Sequence, residues 1–361
     1  MDLKNQMENL IQKAVARNRH LWADLIRIIA IFAVIAIHVD TFGSYWNAIP
    51  WIDWWAAHIY SAIISFAVPI LFILSGYLLL DKQEDDWIFF SKRFSKVVIP
   101  LFAWSMIYTI FAHNYDIFSI FTVEFVQRFL ANDIFYHMYF LYFIIGLYLI
   151  TPLLRRILTH ASMYDVWYFL ILWFIFTPVK QLIGFFGYNI GIPVEAATGN
   201  IGLYLTGYAI KKTRITNRVK YLLWITIATV LTVMIFGSYT MSLNSGKLNT
   251  FLISTSITET TYAACLFILL RETLENVTFK MPYIKIEKVI TVIAEASMGI
   301  YLIHPMLLYY IRNGVFGVFL LSPSFLSPIV SVPLFTALLF VVSLIIVITM
   351  QKIPLIRKIV P

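Results

Sequence analysis

The sequence predicts an all-α polytopic transmembrane helix bundle of about ten spans, and three observations predict it. Hydrophobic residues make up 60% of the 361 and charged residues only 13%, with a mean hydropathy of +0.81. A soluble domain cannot bury that much apolar surface. The apolar residues gather in ten stretches, each near the ~20 residues that cross a bilayer as a helix. The basic residues, finally, fall mostly on one side of the alternating connections, which sets an orientation.

The stretches lie at about 22–40, 56–80, 97–112, 134–154, 166–183, 196–211, 220–238, 249–270, 289–311 and 329–350. With the N-terminus inside, only Arg128, Lys180, Lys247 and Arg312 of the 27 Lys and Arg fall outside, and Arg27 lies within the first span. Both termini are therefore expected to be cytoplasmic. The net charge of +8, which in a soluble protein would suggest nucleic acid, is here a topology signal beside the lipid bilayer. No nucleic-acid partner is expected. Residues 1–20 are polar and basic, and no small-residue cleavage site follows them. They read as a cytoplasmic or interfacial segment ahead of one transmembrane domain, 21–361. Leu3, Met7, Ile11, Ala14 and Val15 fit a short interfacial amphipathic helix, with a disordered basic tail as the alternative. Cys265, the one cysteine, sits in an apolar run and excludes internal disulfides and cysteine-based metal sites.

The first span, DLIRIIAIFAVIAIHVD, holds the strongest functional signal. Arg27 and His38 are eleven positions apart, about 1100° of helical rotation, so they share one stripe ~16 Å apart along the axis. Ionisable groups are expensive in a bilayer and usually face the protein interior or a cavity. Asp24, three residues before Arg27, is placed to pair with it. Asp40 lies about 200° around the helix from His38 and is poorly placed to orient that ring.

Later spans sort their polar residues by depth. His38, His58, His113, His137 and His304 fall on the outer side with Asp40, Asp133 and Glu195, whereas His20 and His160 lie at the inner face. The inner ends carry SKRFSK (Ser91 to Lys96), Arg155 with Arg156, and KKTR (Lys211 to Arg214). Such cations read chiefly as topology signals that snorkel to phosphates. His58 and His113 stand among interfacial aromatics as belt residues. In the ninth span, Ser297, Tyr301 and His304 share a face at i, i+4 and i+7, as a site or as hydrogen-bonding glue between helices. Glu259 and Glu295 lie within the membrane, protonated or paired. Gly199, Gly202 and Gly207 indicate close helix packing or a ligand at the backbone. No phosphate loop, zinc-binding H-E-x-x-H helix or G-x-S-x-G nucleophile elbow is present.

Together these motifs resemble the acyltransferase-3 family of bacterial integral-membrane acyltransferases. The matching features, in order, are R-x10-H (Arg27, His38), SFAVPILFILSGYLL, SKRFSKVVIP, HMYFLYFIIGLYLITP, the LTGY segment and ASMGIYLIHP. Where relatives often carry R-x-x-R, this chain has Arg93 and Lys96, and lysine keeps the charge without the bidentate fork. The chain shows no C-terminal SGNH domain of the kind some relatives have, so the membrane domain would complete transfer itself or hand over to a partner.

The resemblance implies an O-acyltransferase in the bacterial cytoplasmic (inner) membrane. It would move an acyl group, acetyl by default, from cytoplasmic acyl-CoA to a hydroxyl of an extracytoplasmic or lipid-linked glycan. Arg27, Arg93 and Lys96 are then expected to hold the phosphates of acyl-CoA. His38 is the expected general base, a covalent acyl-histidine being the competing scheme. His137, Tyr142, Tyr301 and His304 are candidates to line the acceptor cleft. No metal is expected. The alternative from another class is a transporter or flippase for a glycan lipid or small solute, with the polar residues lining its path. A sensory or scaffold protein is a third reading.

Overall fold

Helix α1 (Leu21–Val39) runs through the centre of the molecule with most of its residues buried. The computed structural model describes residues 20–40, 49–113, 115–192, 194, 198–240, 255–275, 284–313 and 326–361, and all regular structure among them is helical. The expected N-terminal amphipathic helix, Glu195 and Lys247 lie outside the described residues. After α1 come α2 (Trp51–Ile64) and α3 (Ala67–Leu79), then α4 (Asp86–Arg93) and α5 (Ile99–Ala112), joined by a wide turn over Phe94–Val98. Pro100 has no N–H to return to the carbonyl four residues back, which favours that widening. A short amphipathic α6 (Val123–Leu130) precedes α7 (Tyr139–His160). The series continues with α8 (Met163–Phe174), α9 (Lys180–Phe185), α10 (Ile201–Lys212), α11 (Asn217–Thr232), α12 (Ile257–Glu275), α13 (Ile284–Arg312) and α14 (Pro328–Gln351).

Local chemistry sets many of these boundaries. The Asp85 carboxylate accepts from the Trp87 and Ile88 amides and starts α4. Thr122 caps α6, and Ser162 with Asp165 forms a reciprocal capping box on α8. Ser327 caps α14, with Pro328 at its first position, where a missing N–H is harmless.

Among the described residues, seven helical stretches are long and apolar enough to cross a membrane: Leu21–Val39, Trp51–Leu79, Asp86–Ala112, Tyr139–His160, Met163–Phe185, Asn217–Thr240 and Pro328–Gln351. They coincide with seven of the ten expected spans. The other three fall on α10, α12 and α13. Helix α10 has only 12 residues and is buried over most of its length. Helix α12 bears Glu259, Arg271, Glu272 and Glu275, and α13 bears Glu295, His304 and Arg312. Helices that face mainly protein need less apolar surface than those that face lipid, so composition marks them weakly.

Helix α1 packs against α13, α14, α3 and α12, and α10 packs along α3. Two glycines allow that second approach. A Cβ at Gly76 of α3 would overlap the Tyr204 carbonyl of α10, and one at Gly207 would overlap the Ile73 carbonyl of α3. Gly202 gives its space to the Trp173 ring. Gly202 and Gly207 are thus accounted for by packing, whereas Gly199 takes φ +68° and has no such neighbour.

Candidate active site

Both residues of the opening stripe sit on the continuous α1, so they lie ~16 Å apart along its axis. His38 anchors a polar cluster, and Arg27 forms an ion pair with Asp24.

The His38 cluster draws on three separate stretches of chain. His38 Nδ1 lies 2.7 Å from Nε2 of His304 on α13, with the two ring planes at 12°. His304 Nδ1 lies 3.1 Å from the Ile300 carbonyl one turn back. Pro305 follows directly and lacks the N–H that would bond the Tyr301 carbonyl, which loosens the helix at this turn. A carbonyl only accepts, so Nδ1 of His304 carries a proton, and in the neutral ring its Nε2 is bare. His38 Nδ1–H must then donate to it. Nε2 of His38 is left as an unprotonated lone pair on a ring that is only partly buried, while His304 is wholly buried behind it. The order resembles a base held by an orienting partner, with imidazole as the partner.

Around this pair the expected acceptor residues divide. The Tyr301 hydroxyl donates to the His137 carbonyl, and its ring lies 5.3 Å from that imidazole. His137 is wholly buried, 5.9 Å from the His304 ring, and neither of its nitrogens has a well-formed hydrogen bond. Tyr301 and His304 therefore join His38 and His137 in one cluster. Tyr142 does not join it by any ring contact: its hydroxyl donates to the Phe129 carbonyl at 2.6 Å and ties α7 to the end of α6. Asp40 accepts from Ser61 at 2.8 Å, and the residue that orients His38 is His304. His58 is wholly buried, donates to the Ile235 carbonyl and stacks on Trp54.

Two neighbours of His38 escaped sequence reasoning. The exposed Tyr136 sets its ring 5.0 Å from His38, edge to face. Arg312, at the last turn of α13, donates to the His38 carbonyl and caps the end of α1 with positive charge. Arg312 was legible only as one of few outward cations, and Tyr136 had no signal beyond lying next to His137.

Arg27 pairs within its own helix, and a separate group of cations gathers on Glu84 and Phe89. The Arg27 guanidinium meets Asp24 at 2.9 Å, as the i, i+3 spacing predicts. Arg93 pairs with Glu84 at 3.0 Å and lies over the Phe89 ring. Tyr148 stands edge-on to Phe89. Lys96, in the wide turn before α5, is exposed. Sequence reasoning treated Arg155 as a topology signal. The structure sets it over the same Phe89 ring, largely buried. Among the described residues no group of three or more His, Cys, Asp or Glu is arranged to hold a metal.

Glu84, in the connection between α3 and α4, titrates in a predictable direction. Partial burial works to raise its carboxyl, but the hydrogen bond from Lys92 and the charges of Arg93, Lys82 and Lys92 outweigh burial and hold it below the usual carboxylate range. A depressed folded value contributes stability above the unfolded value of about 4.3, and that contribution is lost as pH falls through the folded value. Thermal unfolding of the detergent-solubilised protein should therefore lose a component below pH 4 that Glu84→Gln lacks. Identical pH dependence of the two proteins would exclude Glu84 as its source.

The fold defines a multi-pass helical membrane protein, with the His38–His304 pair as a polar centre between two of its helices. The comparison with known families makes that specific: the acyltransferase-3 family, an acyltransferase domain, matches residues 20–350, and the chain belongs to it. No curated protein and no solved structure matches the chain.

Proposed function

We propose that this acyltransferase takes its acyl group, acetyl by default, from cytoplasmic acyl-CoA and delivers it to a hydroxyl of an extracytoplasmic or lipid-linked glycan. The observation that supports this most directly is the His38–His304 pair, which leaves His38 Nε2 bare on a partly exposed ring. The acceptor hydroxyl gives its proton to Nε2 as its oxygen attacks the thioester carbonyl. The tetrahedral intermediate collapses, the C–S bond breaks, and the departing CoA thiolate takes the proton back from the imidazolium. Arg27 and Arg93 hold donor phosphates at the far end, and the ~16 Å between Arg27 and His38 is spanned by the slender pantetheine arm. Exposed Tyr136 is the aromatic beside His38 best placed to stack on a sugar.

This reading sets the protein in the bacterial inner membrane with ten helices across it and both termini cytoplasmic, as the charge asymmetry supports. Purified protein given acetyl-CoA and a glycan acceptor should release free CoA, and release should depend on the acceptor. Acyl label trapped on His38 without acceptor would replace the general-base step by a covalent one. Absence of CoA release across a broad acceptor panel, together with glycan-lipid flux in liposomes, would overturn the enzyme reading in favour of transport.

A further inference from the structure

Four cations meet a single carboxylate near the inner end of α7. Glu84 receives Lys92 at 2.7 Å and Lys82 at 3.9 Å on Oε1, with Arg93 at 3.0 Å and Arg155 at 3.8 Å on Oε2. The neighbouring carboxylates are engaged elsewhere: Asp85 caps α4, and Asp86 pairs with Arg156. The side chains of Lys82 and Lys92 are about half exposed, so water offsets their charge. Arg93 and Arg155 are different, with side chains only 15% and 10% exposed.

Arg93 and Arg155 share one platform, their guanidinium carbons standing 4.3 and 4.6 Å from the centre of the Phe89 ring. Phe89 is wholly buried and holds both planes in place. Arg155 Nε donates to the Leu79 carbonyl at 2.9 Å, which fixes the fork by its stem. Its two terminal nitrogens are buried and have no hydrogen-bond partner, the Glu84 contact being too long for one. Buried guanidinium N–H groups left bare, beside a second guanidinium and one shared carboxylate, are donors that an added anion would satisfy.

We infer that Arg155, together with Arg93, holds a phosphate group, its terminal N–H groups donating to two phosphate oxygens. This supplies the fork that Lys96 lacks, from a helix distant in sequence. The inference rests on the proposed function in so far as the phosphate is one of acyl-CoA. A phospholipid headgroup at the membrane face offers the same chemistry, and the test separates the two.

The protein in phosphate-free maltoside detergent is titrated calorimetrically with CoA, dephospho-CoA and pantetheine, and phospholipid retained through purification is measured by native mass spectrometry. Arg155→Gln is expected to weaken CoA binding about tenfold or more, and Arg155→Lys by less, because it keeps charge but not the fork. The exposed neighbour change Arg156→Gln should leave CoA affinity as in the wild type, and pantetheine should not distinguish Arg155→Gln from the wild type. Loss of the Arg155 dependence with dephospho-CoA would assign the contact to the ribose phosphate. If the wild type binds no CoA, the donor reading fails; retention of phosphatidylglycerol by the wild type but not by Arg155→Gln then assigns the site to a lipid phosphate. Wild-type CoA affinity and wild-type phospholipid retention in Arg155→Gln overturn the inference. Should that variant unfold, the same two measurements on Arg155→Lys decide it.

Discussion

Replacing His304 with alanine is expected to lower kcat for acyl transfer by about 10²-fold or more while leaving KM for the acyl donor near the wild-type value. Without Nε2 of His304 the His38 ring loses the acceptor that fixes its tautomer at Nδ1–H, so the bare nitrogen is no longer held at Nε2. In the proposed mechanism the donor phosphates are held far from this pair, so donor affinity should not change. His304→Gln places an amide oxygen near the same position and should recover part of the loss, which a purely structural role for a buried imidazole would not allow. His38→Ala should cost about 10²–10⁴-fold, and the double alanine variant should be no worse than His38→Ala alone, because one residue acts only through the other. Initial rates of CoA release for the four proteins decide the matter. Wild-type kcat in His304→Ala, or simple additivity of the two losses, would remove His304 from the mechanism.

The largest effect on the fold is expected at Gly207. Its backbone meets the Ile73 carbonyl of α3, while Gly76 meets the Tyr204 carbonyl of α10. A rotamer change relieves a clash between side chains, but neither helix can move a main-chain carbonyl aside without separating from its partner. Gly207→Val should therefore reach at least the upper end of the ~1–3 kcal/mol typical of core overpacking. It should appear as a lower unfolding temperature and a loss of monodisperse protein in detergent. The control is Gly146→Ala on α7, where an added Cβ meets nothing within 4 Å and helix propensity favours alanine by about 1 kcal/mol. A Gly207→Val protein as stable as the wild type would show that α3 and α10 are not held by this contact. Separation of these helices would also disturb Thr151 and Tyr204, whose hydroxyls meet at 2.9 Å between α7 and α10.

Legibility in the sequence followed distance along the chain. The Arg27–Asp24 pair and the shared stripe of Arg27 and His38 are short-range consequences of 3.6 residues per turn, and the structure contains both. The common face of Tyr301 and His304 was equally readable, but not what that face touches. His38 and His304 are 266 residues apart, and no local pattern states that they meet. Tyr142 illustrates the converse: its place in an aromatic run suggested a substrate residue, and its hydroxyl is taken by Phe129.

By itself the sequence determined the membrane class, the apolar stretches and the stripe on the first helix, because hydropathy and helical period depend only on neighbours along the chain. Only the tertiary structure decided which histidine meets His38 and which of many similar cations is buried. Arg155 and Arg156 are adjacent and chemically identical, yet one lies over Phe89 with bare nitrogens and the other pairs with Asp86 at the surface. Burial and partner choice arise from helices brought together across long separations, and those separations carry no period to read.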